Sequence, residues 1–318
     1  MLATARRVYW LPASLLAAAA AAPLSFTSQS LSAEAEAPAQ GALDPTQFKP
    51  FKLISKQVLT TNTAQYRFEI PAGQVAGLPV ASCLVTKAML VQKEGEAAKA
   101  TIRPYTPTSP PHARGYFDLV VTRHCFVGGS AAFGVSAGQV YPTGIMSKHF
   151  DSLKVGDMLE MKGPILKYPY EPNSKKSIGL LAGGTGITPM LQLIDAVLSN
   201  PDDRTELSLI FANNSEDDII LRNHIDNLAK THKNFKVYYV VSKPNYAGAF
   251  WMGGVGNVTS DMIKKHLPAP AGDSHVFVCG PPGFMNAMSG NKTSPKDQGE
   301  LVGSLKELGY KAENVYKF

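Results

Sequence analysis

Residues 183–186, Gly-Gly-Thr-Gly, follow a short apolar run and lead into a segment with helical spacing. Glycine has no Cβ atom, so the backbone of such a turn can approach a ligand closely. Thr188 is expected to cap the following helix and Pro189 to occupy its first position, which leaves free N–H groups and the positive end of the helix dipole at the turn. These features suit a phosphate or a polar cofactor edge; a tight strand–helix turn without a ligand is the alternative. The turn does not have the G-x-G-x-x-G spacing of the usual dinucleotide fingerprint.

A second candidate is the segment Arg103-Pro104-Tyr105-Thr106-Pro107, in which two prolines restrict the backbone. The guanidinium of Arg103 could clamp a diphosphate, because its fork of donors matches phosphate oxygens. The ring of Tyr105 could lie flat against an aromatic ring system. A proline-stiffened edge strand with a surface arginine is the alternative for this segment.

A third candidate is Gly144-Ile145-Met146-Ser147, a glycine turn that leads into a short predicted helix. Ser147 is the predicted cap, and the start of the helix could bind a second phosphate. Helix starts of this kind are common, so this segment alone indicates no particular ligand.

A fourth candidate, Cys279-Gly280-Pro281-Pro282, closes a predicted strand. Open α/β sheets bind ligands at the carboxyl ends of their strands, so the thiol of Cys279 is expected to face that crevice. A buried cysteine that serves only as a small hydrophobic residue is the alternative.

Two different patterns position these segments. Up to about Lys167, short β-branched or aromatic runs alternate with turns, which predicts a closed or nearly closed antiparallel barrel. The predicted strands are Phe51–Leu59, Gln65–Ile70, Val80–Val91 and Tyr116–Arg123, with one helix at Ser147–Leu153.

After Ser177, buried apolar runs alternate with helical stretches, which predicts a doubly wound parallel sheet. The predicted strands are Ile178–Ala182, Glu206–Ala212, Phe235–Ser242 and His275–Cys279, and the predicted helices are Pro189–Leu198, Glu216–Lys230 and Ser260–His266. The expected fold is therefore a barrel followed by a nucleotide-binding α/β domain.

Composition excludes several classes of protein. The chain has 318 residues, 44% hydrophobic and 18% charged, which fits two folded domains and excludes wholesale disorder or collagen-like repeats. A net charge of +6 is too small for a nucleic-acid-binding stripe but suits an acidic protein partner. Cys83, Cys125 and Cys279 form no C-x-x-C pair, which argues against a disulfide framework, a four-thiolate zinc site or a four-cysteine iron–sulfur cluster. The histidines show no metal-ligand spacing, and no hydrolase or P-loop motif is present.

Residues 1–40 are expected to lie outside the fold. Arg6 and Arg7 precede an Ala/Leu run and a Ser-rich stretch, with no acidic residue in this part before position 34, which is typical of a mitochondrial presequence. The apolar run at 8–24 is borderline in length for a membrane anchor, and a cleaved secretory signal is the alternative. Residues 41–50 are predicted to be a linker.

Taken in order, the motifs R-P-Y-T-P, G-x-M-S, G-G-T-G-I-T-P-M and C-G-P-P closely resemble those of NADH–cytochrome b5 reductases, which belong to the ferredoxin–NADP reductase-like flavoproteins. The run from Cys279 onward and the upstream K-G-P-I-L-K-Y-P-Y-E-P resemble the fungal mitochondrial type most. The resemblance covers residues 51–318. It implies an FAD-binding barrel at 51–172 and an NAD(P)H-binding, Rossmann-like α/β domain at 173–318.

The same resemblance implies a role for each motif residue. Those expected to hold FAD are Arg103, Pro104, Tyr105, Thr106, Val120, Gly144, Met146, Ser147 and Thr188. Those expected to meet the nicotinamide are Gly183, Gly184, Thr185, Gly186, Cys279, Gly280 and Pro281. Tyr105, Thr185 and Cys279 are expected to take part in catalysis, with Cys279 and Gly280 placing nicotinamide C4 over flavin N5.

The resemblance also implies partners and a location. Cytochrome b5 or a similar haem protein would accept the electrons, and Lys148, Lys162 and Lys167 could steer an acidic acceptor. The expected location is the mitochondrial outer membrane or intermembrane space, with the N-terminal segment as the link to the membrane. We expect a monomer.

Some residues depart from the family pattern. Ile145 stands where many relatives have a second glycine and a lysine, and a strand lysine is replaced by Thr122 or Arg123. The acidic residue that favours NADH over NADPH is here Ser242, followed by Lys243. An aspartate would repel a 2′-phosphate, whereas serine and lysine could accept one, so we expect a relaxed coenzyme preference.

Two other functions stay open at this point. The first is an NADPH-accepting flavin reductase with a different electron acceptor. The second is a non-catalytic flavin- or nucleotide-binding module, against which the intact Arg103, Tyr105, Thr185 and Cys279 argue.

Overall fold

A computed structural model describes residues 41–123, 144–245 and 250–318. The predicted presequence, Cys125 and the Gly/Ala/Ser-rich segment at 128–138 lie outside the described residues. Within the ranges that the structure describes, no helix is both long and apolar enough to span a membrane.

The N-terminal half folds into a six-stranded antiparallel sheet, which confirms the predicted barrel. Its strands are β1 (Lys49–Thr60), β2 (Thr63–Glu69), β3 (Ser82–Leu90), β4 (Lys99–Tyr105), β5 (Tyr116–Thr122) and β6 (Met158–Leu166), in the order β4-β3-β6-β1-β2-β5. The two edge strands meet where Pro107 bridges to Leu119, so the sheet curves into a nearly closed barrel. A core of alternating apolar side chains fills it, with Tyr66, Phe68 and Phe117 fully buried.

In the barrel half the structure adds two strands to those predicted, and it corrects the predicted linker. Strands β4 and β6 were not expected, because Pro104 and Pro164 interrupt their apolar pattern; β4 accommodates its proline as an edge strand. The segment 41–48 is packed rather than loose. Its Ala42 and Leu43 are buried in the barrel core, and β1 already begins at Lys49.

The C-terminal half is an all-parallel sheet with the order β10-β9-β8-β7-β11-β12. Its strands are β7 (Ser177–Gly183), β8 (Glu206–Ser215), β9 (Phe235–Lys243), β10 (Gly254–Val255), β11 (Ser274–Cys279) and β12 (Val315–Lys317). The order reverses between β7 and β11, so the crevice at the carboxyl ends of these two strands is where such a sheet binds ligands.

Helices cover both faces of this sheet, which confirms the doubly wound architecture. These helices are α2 (Ile187–Ser199), α3 (Arg222–Thr231), α4 (Ser260–His266), α5 (Pro282–Met288) and α6 (Gly303–Glu307). One more helix, α1 (Ile145–Ser152), belongs to the barrel domain. Helices α2 and α3 pack on the face that carries Leu180, and α4, α5 and α6 pack on the face that carries the next residue, Leu181.

The predicted helix at 216–230 is wrong in its first half. A short 3₁₀ turn ends at Asp218, and helix α3 starts only at Arg222, after Leu221 has adopted a left-handed backbone with φ of 55°. Helical side-chain spacing continues across this break, which explains why the sequence pattern did not reveal it.

The side chain of Gln192 joins the two domains. Its Oε1 accepts a hydrogen bond from the backbone N–H of Ser82 at 3.1 Å, and its Nε2 donates to the carbonyl of Pro107 at 3.2 Å. Gln192 is buried on helix α2, so both bonds are shielded from water and hold that helix against the barrel.

Candidate functional site

A cavity of about 720 Å³ lies between the barrel and the parallel sheet. This volume is within the range of roughly 300–1,000 Å³ that is typical of cofactor sites. The predicted site residues that line it are Pro104, Tyr105, Thr106, Val120, Ser147, Gly183, Gly184, Thr185, Gly186, Thr188, Cys279, Gly280 and Pro281. The fold therefore gathers all four sequence motifs around one space.

Gly186 lets two backbone segments meet at the floor of the cavity. A Cβ atom at this position would lie 2.1 Å from the carbonyl oxygen of Cys279 and 2.5 Å from its carbonyl carbon. The backbone of Gly186 has ordinary helical angles, so the close approach alone requires glycine here. Gly184 differs, because it has a φ of +54° and open space where a side chain would lie.

The predicted helix caps are wrong at both helix starts that face the cavity. Helix α2 begins at Ile187, and the hydroxyl of Thr188 donates to the carbonyl of Thr185 at 3.1 Å instead of capping. Helix α1 begins at Ile145, so Ser147 lies in its first turn and not at its cap. Neither helix has a side-chain cap. At the start of α2, however, the N–H of Ile187 already donates to the carbonyls of Gly184 and Thr185, and Pro189 has no N–H. The start of α1 is therefore the end at which uncapped backbone N–H groups can meet a ligand.

Cys279 ends β11 at the switch point of the sheet and faces the cavity. Burial raises the pKa of its thiol to about 12, although the nearby ammonium of Lys292 opposes the rise. At neutral pH the side chain is therefore an uncharged thiol, which suits contact with a flat ring better than nucleophilic attack.

On the barrel side, Tyr105 ends the edge strand β4. Its ring makes an edge contact with Phe150 of helix α1, with the ring centroids 5.0 Å apart. The proline on either side of the Tyr105-Thr106 pair limits backbone motion, so the pair is held in place on the cavity wall.

Three predicted site residues do not line the cavity. Arg103 Nη1 donates to the carbonyl of its neighbour Ile102 at 2.8 Å. Met146 is buried in the barrel core beneath helix α1, so its side chain packs there. Gly144 immediately precedes helix α1. Their predicted contacts with FAD stay predictions.

Sequence reasoning missed several residues that line the cavity, among them Asn213, Asn214, Cys83, Lys292 and Phe318. The two asparagines lie near the carboxyl end of β8, so the strand-end rule that singled out Cys279 could have found them. No local pattern pointed to the other three residues, since they reach the cavity only through the tertiary fold.

The residues present fit a polar, nucleotide-like cofactor. Asn213 Nδ2 and Asn214 Oδ1 are buried and have no hydrogen-bond partner in the described part of the chain. Buried polar atoms are normally hydrogen-bonded, so these amides favour a polar ligand in the cavity. No group of three His, Cys, Asp or Glu side chains within the described ranges could hold a metal ion.

Comparison with known domain families divides the chain in the same way as the fold. Residues 50–170 match the model described as an oxidoreductase FAD-binding domain. Residues 180–290 match the model described as an oxidoreductase NAD-binding domain. The cavity lies between the two matched regions.

Curated relatives cover most of the chain. It is 47% identical over 277 residues to an NADH-cytochrome b5 reductase-like protein of Arabidopsis thaliana. The aligned region covers 87% of this chain and 78% of that relative. It is 46% identical over 270 residues to NADH-cytochrome b5 reductase 2 of Aspergillus oryzae, and the aligned region covers 84% of this chain and 76% of that relative. Among solved structures, the cytochrome b5 reductase domain of Ulva prolifera nitrate reductase matches with a TM-score of 0.71 at 29% identity, over 88% of this chain and all of that one.

Proposed function

The chain belongs to the NADH–cytochrome b5 reductase family, and we propose that it takes hydride from NADH onto a bound FAD and passes single electrons to cytochrome b5 or a similar haem protein. One observation carries the proposal: a single cavity, built from both matched domains, brings Tyr105 together with Thr185 and Cys279.

On this proposal the protein contributes alignment, while the bound flavin supplies the chemistry of accepting two electrons and releasing them one at a time. Tyr105 and Thr106 hold the flavin from the barrel side. Thr185 and Cys279 hold the nicotinamide from the other side, where the thiol stays protonated. The uncapped start of α1 provides N–H groups for a phosphate.

An anaerobic absorbance titration tests this function. We expect the purified protein to be yellow and to be bleached by a near-stoichiometric amount of NADH. A colourless protein that takes up no added FAD and does not react with NADH would contradict the proposal and favour a non-catalytic module.

The docking of an acidic acceptor is supported by positive charge on the barrel domain, where Lys148 follows the cavity-lining Ser147 and Lys162 is partly exposed. Lys148 is exposed on helix α1, and the ammonium of Lys162 lies 5.1 Å from the ring centroid of Phe48. Lys167, the third lysine predicted for this role, lines the cavity. Electrostatic steering changes association rates and weakens with salt.

Charge reversal tests this steering. A double variant, Lys148→Glu with Lys162→Glu, should slow reduction of the acceptor at low salt and flatten its salt dependence. The double variant Lys264→Glu with Lys265→Glu, at two exposed positions of α4, changes the net charge equally and serves as the control. If the double variant keeps the wild-type salt dependence, these lysines do not steer the acceptor.

The coenzyme preference follows from the end of β9. Ser242 and Lys243 lie at the carboxyl edge of the sheet, and Lys243 is exposed. We infer that they tolerate a 2′-phosphate, so NADPH should be used at a measurable fraction of the NADH rate. Ser242→Asp should lower kcat/KM for NADPH selectively, with Ser242→Asn as the uncharged control. Wild-type NADPH turnover more than a thousandfold below that with NADH would refute this inference.

We also propose that the protein is a monomer of the mitochondrial outer membrane or intermembrane space, attached to the membrane through its N-terminal segment. Arg6, Arg7 and the acid-free Ser-rich start support this location. Cell fractionation with protease protection would test it, and recovery of the full chain in the secretory pathway would contradict it. Light scattering of the purified protein should give the mass of one chain.

A further inference from the structure

Two lysines from opposite parts of the chain line the same cavity. Lys167 follows strand β6 of the barrel, and Lys292 lies in the segment between helices α5 and α6. Both side chains are half-buried. The cavity that holds the predicted redox residues therefore has positive charge on its wall.

Strand β12 holds both lysines in place. The hydroxyl of Tyr316 donates to the backbone carbonyl of Lys167 at 2.5 Å, and the ring centroid of Tyr316 lies 5.4 Å from the Lys292 ammonium. Lys292 Nζ also donates to the carbonyl of Lys317 at 3.0 Å. Tyr316 thus ties the two lysines to one rigid element.

Neither charge is neutralised by a carboxylate in the described parts of the chain. No Asp or Glu oxygen in those ranges lies within 4.0 Å of the ammonium of Lys167 or Lys292, whereas many surface lysines have such a partner. Of the described residues that line the cavity, only Asp218 is acidic, and it already accepts hydrogen bonds from Thr61 and Ser215.

The electrostatics are consistent with two cations that act on each other. Burial lowers the pKa of Lys292, and the neighbouring charge of Lys167 lowers it further. Lys292 lies close enough to Cys83 and Cys279 for their charges to act on it, but burial raises the pKa of both thiols, so they stay neutral at pH 7. An unpaired cation pair in a partly desolvated cavity favours an anion beside it.

Hydride transfer supplies such an anion. When the C4–H bond of the nicotinamide breaks and the N5–H bond of the flavin forms, two electrons and one proton move together. NADH becomes NAD⁺, and the flavin gains one negative charge. Electrostatic groups that stabilise the charge formed in a reaction are most effective when they are already in position.

We propose that Lys167 and Lys292 form a cationic pair that stabilises the negative charge of the reduced flavin and thereby raises its reduction potential. The proposal rests on the function proposed above, because it requires a bound FAD. It gives Lys292 a role in the redox equilibrium, and it gives Lys167 a role inside the cavity instead of on the docking surface.

The test measures the reduction potential of the FAD-loaded protein by anaerobic equilibration with a reference dye. Lys292→Gln removes the charge but keeps a donor for the carbonyl of Lys317. It should shift the ratio of reduced to oxidised flavin about tenfold toward oxidised at a given potential, which is about 30 mV for a two-electron couple. Lys167→Gln should shift the ratio in the same direction.

Two controls separate charge from structure. Lys292→Arg should keep the wild-type potential, and Lys296→Gln, an exposed lysine in the same segment, should also leave it unchanged. If Lys292→Gln does not fold, Lys167→Gln still tests the proposal.

Three outcomes are informative. Wild-type potentials in both Lys292→Gln and Lys167→Gln would overturn the proposal. So would weaker binding of NAD⁺ with no change in potential, because the lysines would then bind the phosphates of the coenzyme. Failure of the wild-type protein to bind FAD would contradict the proposed function itself, which is a separate result.

Discussion

Replacing Gly186 with alanine tests whether the cavity depends on the close contact between the glycine turn and the end of β11. The added Cβ would lie 2.1 Å from the carbonyl oxygen of Cys279 and 2.9 Å from the backbone nitrogen of Gly280. Both are backbone atoms, so no side chain can rotate away to relieve the clash. One of the two segments must move.

The size of that movement sets the expected effect. Carbon and oxygen atoms without a bond between them rarely approach within about 3 Å, so the segments must separate by roughly 1 Å. Overpacking of this kind typically costs about 1–3 kcal/mol of stability. Because Cys279 moves with its backbone, a displacement of about 1 Å at the reacting centre should slow hydride transfer on the order of a hundredfold.

Urea unfolding and stopped-flow reduction of the flavin by NADH measure the two effects. Gly184→Ala is the contrasting variant, since its position has a φ of +54° and open space. It should lose about 1–2 kcal/mol from backbone strain without displacing Cys279. A Gly186→Ala protein with wild-type stability and a reduction rate within about threefold of wild type would refute the steric reasoning.

Three further predictions concern thiol reactivity and stability. Because burial raises the pKa of Cys279 to about 12, its alkylation rate should keep rising with pH well above 9, and a plateau near the ordinary value of about 8.5 would contradict this. Burial alone would raise the pKa of Asp203, but hydrogen bonds from Tyr170 and other donors outweigh it and lower the pKa. The ionised carboxylate should therefore stabilise the folded state fully above about pH 4, and this contribution should be lost as the pH falls. In urea unfolding, Asp203→Asn should therefore be less stable than wild type at about pH 7, and the difference should shrink as the pH falls below about 4. An equal difference at neutral and at low pH would argue against this assignment. Asp118 accepts two hydrogen bonds of 2.8 Å from Arg67, so Asp118→Asn should lose about 1–3 kcal/mol. A loss below about 0.5 kcal/mol would mean that this pair contributes little.

The fold could be predicted largely because its patterns are local. Short β-branched or aromatic runs predicted β2 and β5, and continuous apolar runs predicted β7 and β11. The misses have a physical cause. A proline interrupts the pattern of β4, which tolerates it as an edge strand, and a left-handed residue at Leu221 breaks a helix without changing side-chain spacing.

The candidate site was partly predictable for a related reason. Rules about strand ends and glycine turns refer to single segments, so they singled out Thr185 and Cys279. The partners of those segments lie far away in the chain. Lys292 reaches the cavity from the connection between α5 and α6, and Phe318 reaches it as the residue after β12. No spacing in the sequence encodes where either segment leads.

The sequence by itself therefore determined which segments could carry chemistry, because backbone freedom at glycine, restriction at proline and apolar periodicity act over a few residues. Only the tertiary structure decided which of these segments meet. The contact that makes Gly186 indispensable depends on the pairing of β7 with β11, and the unpaired charges of Lys167 and Lys292 depend on which elements surround the cavity. Burial and electrostatic environment are properties of neighbours in space, and the fold brings those neighbours together from distant parts of the chain.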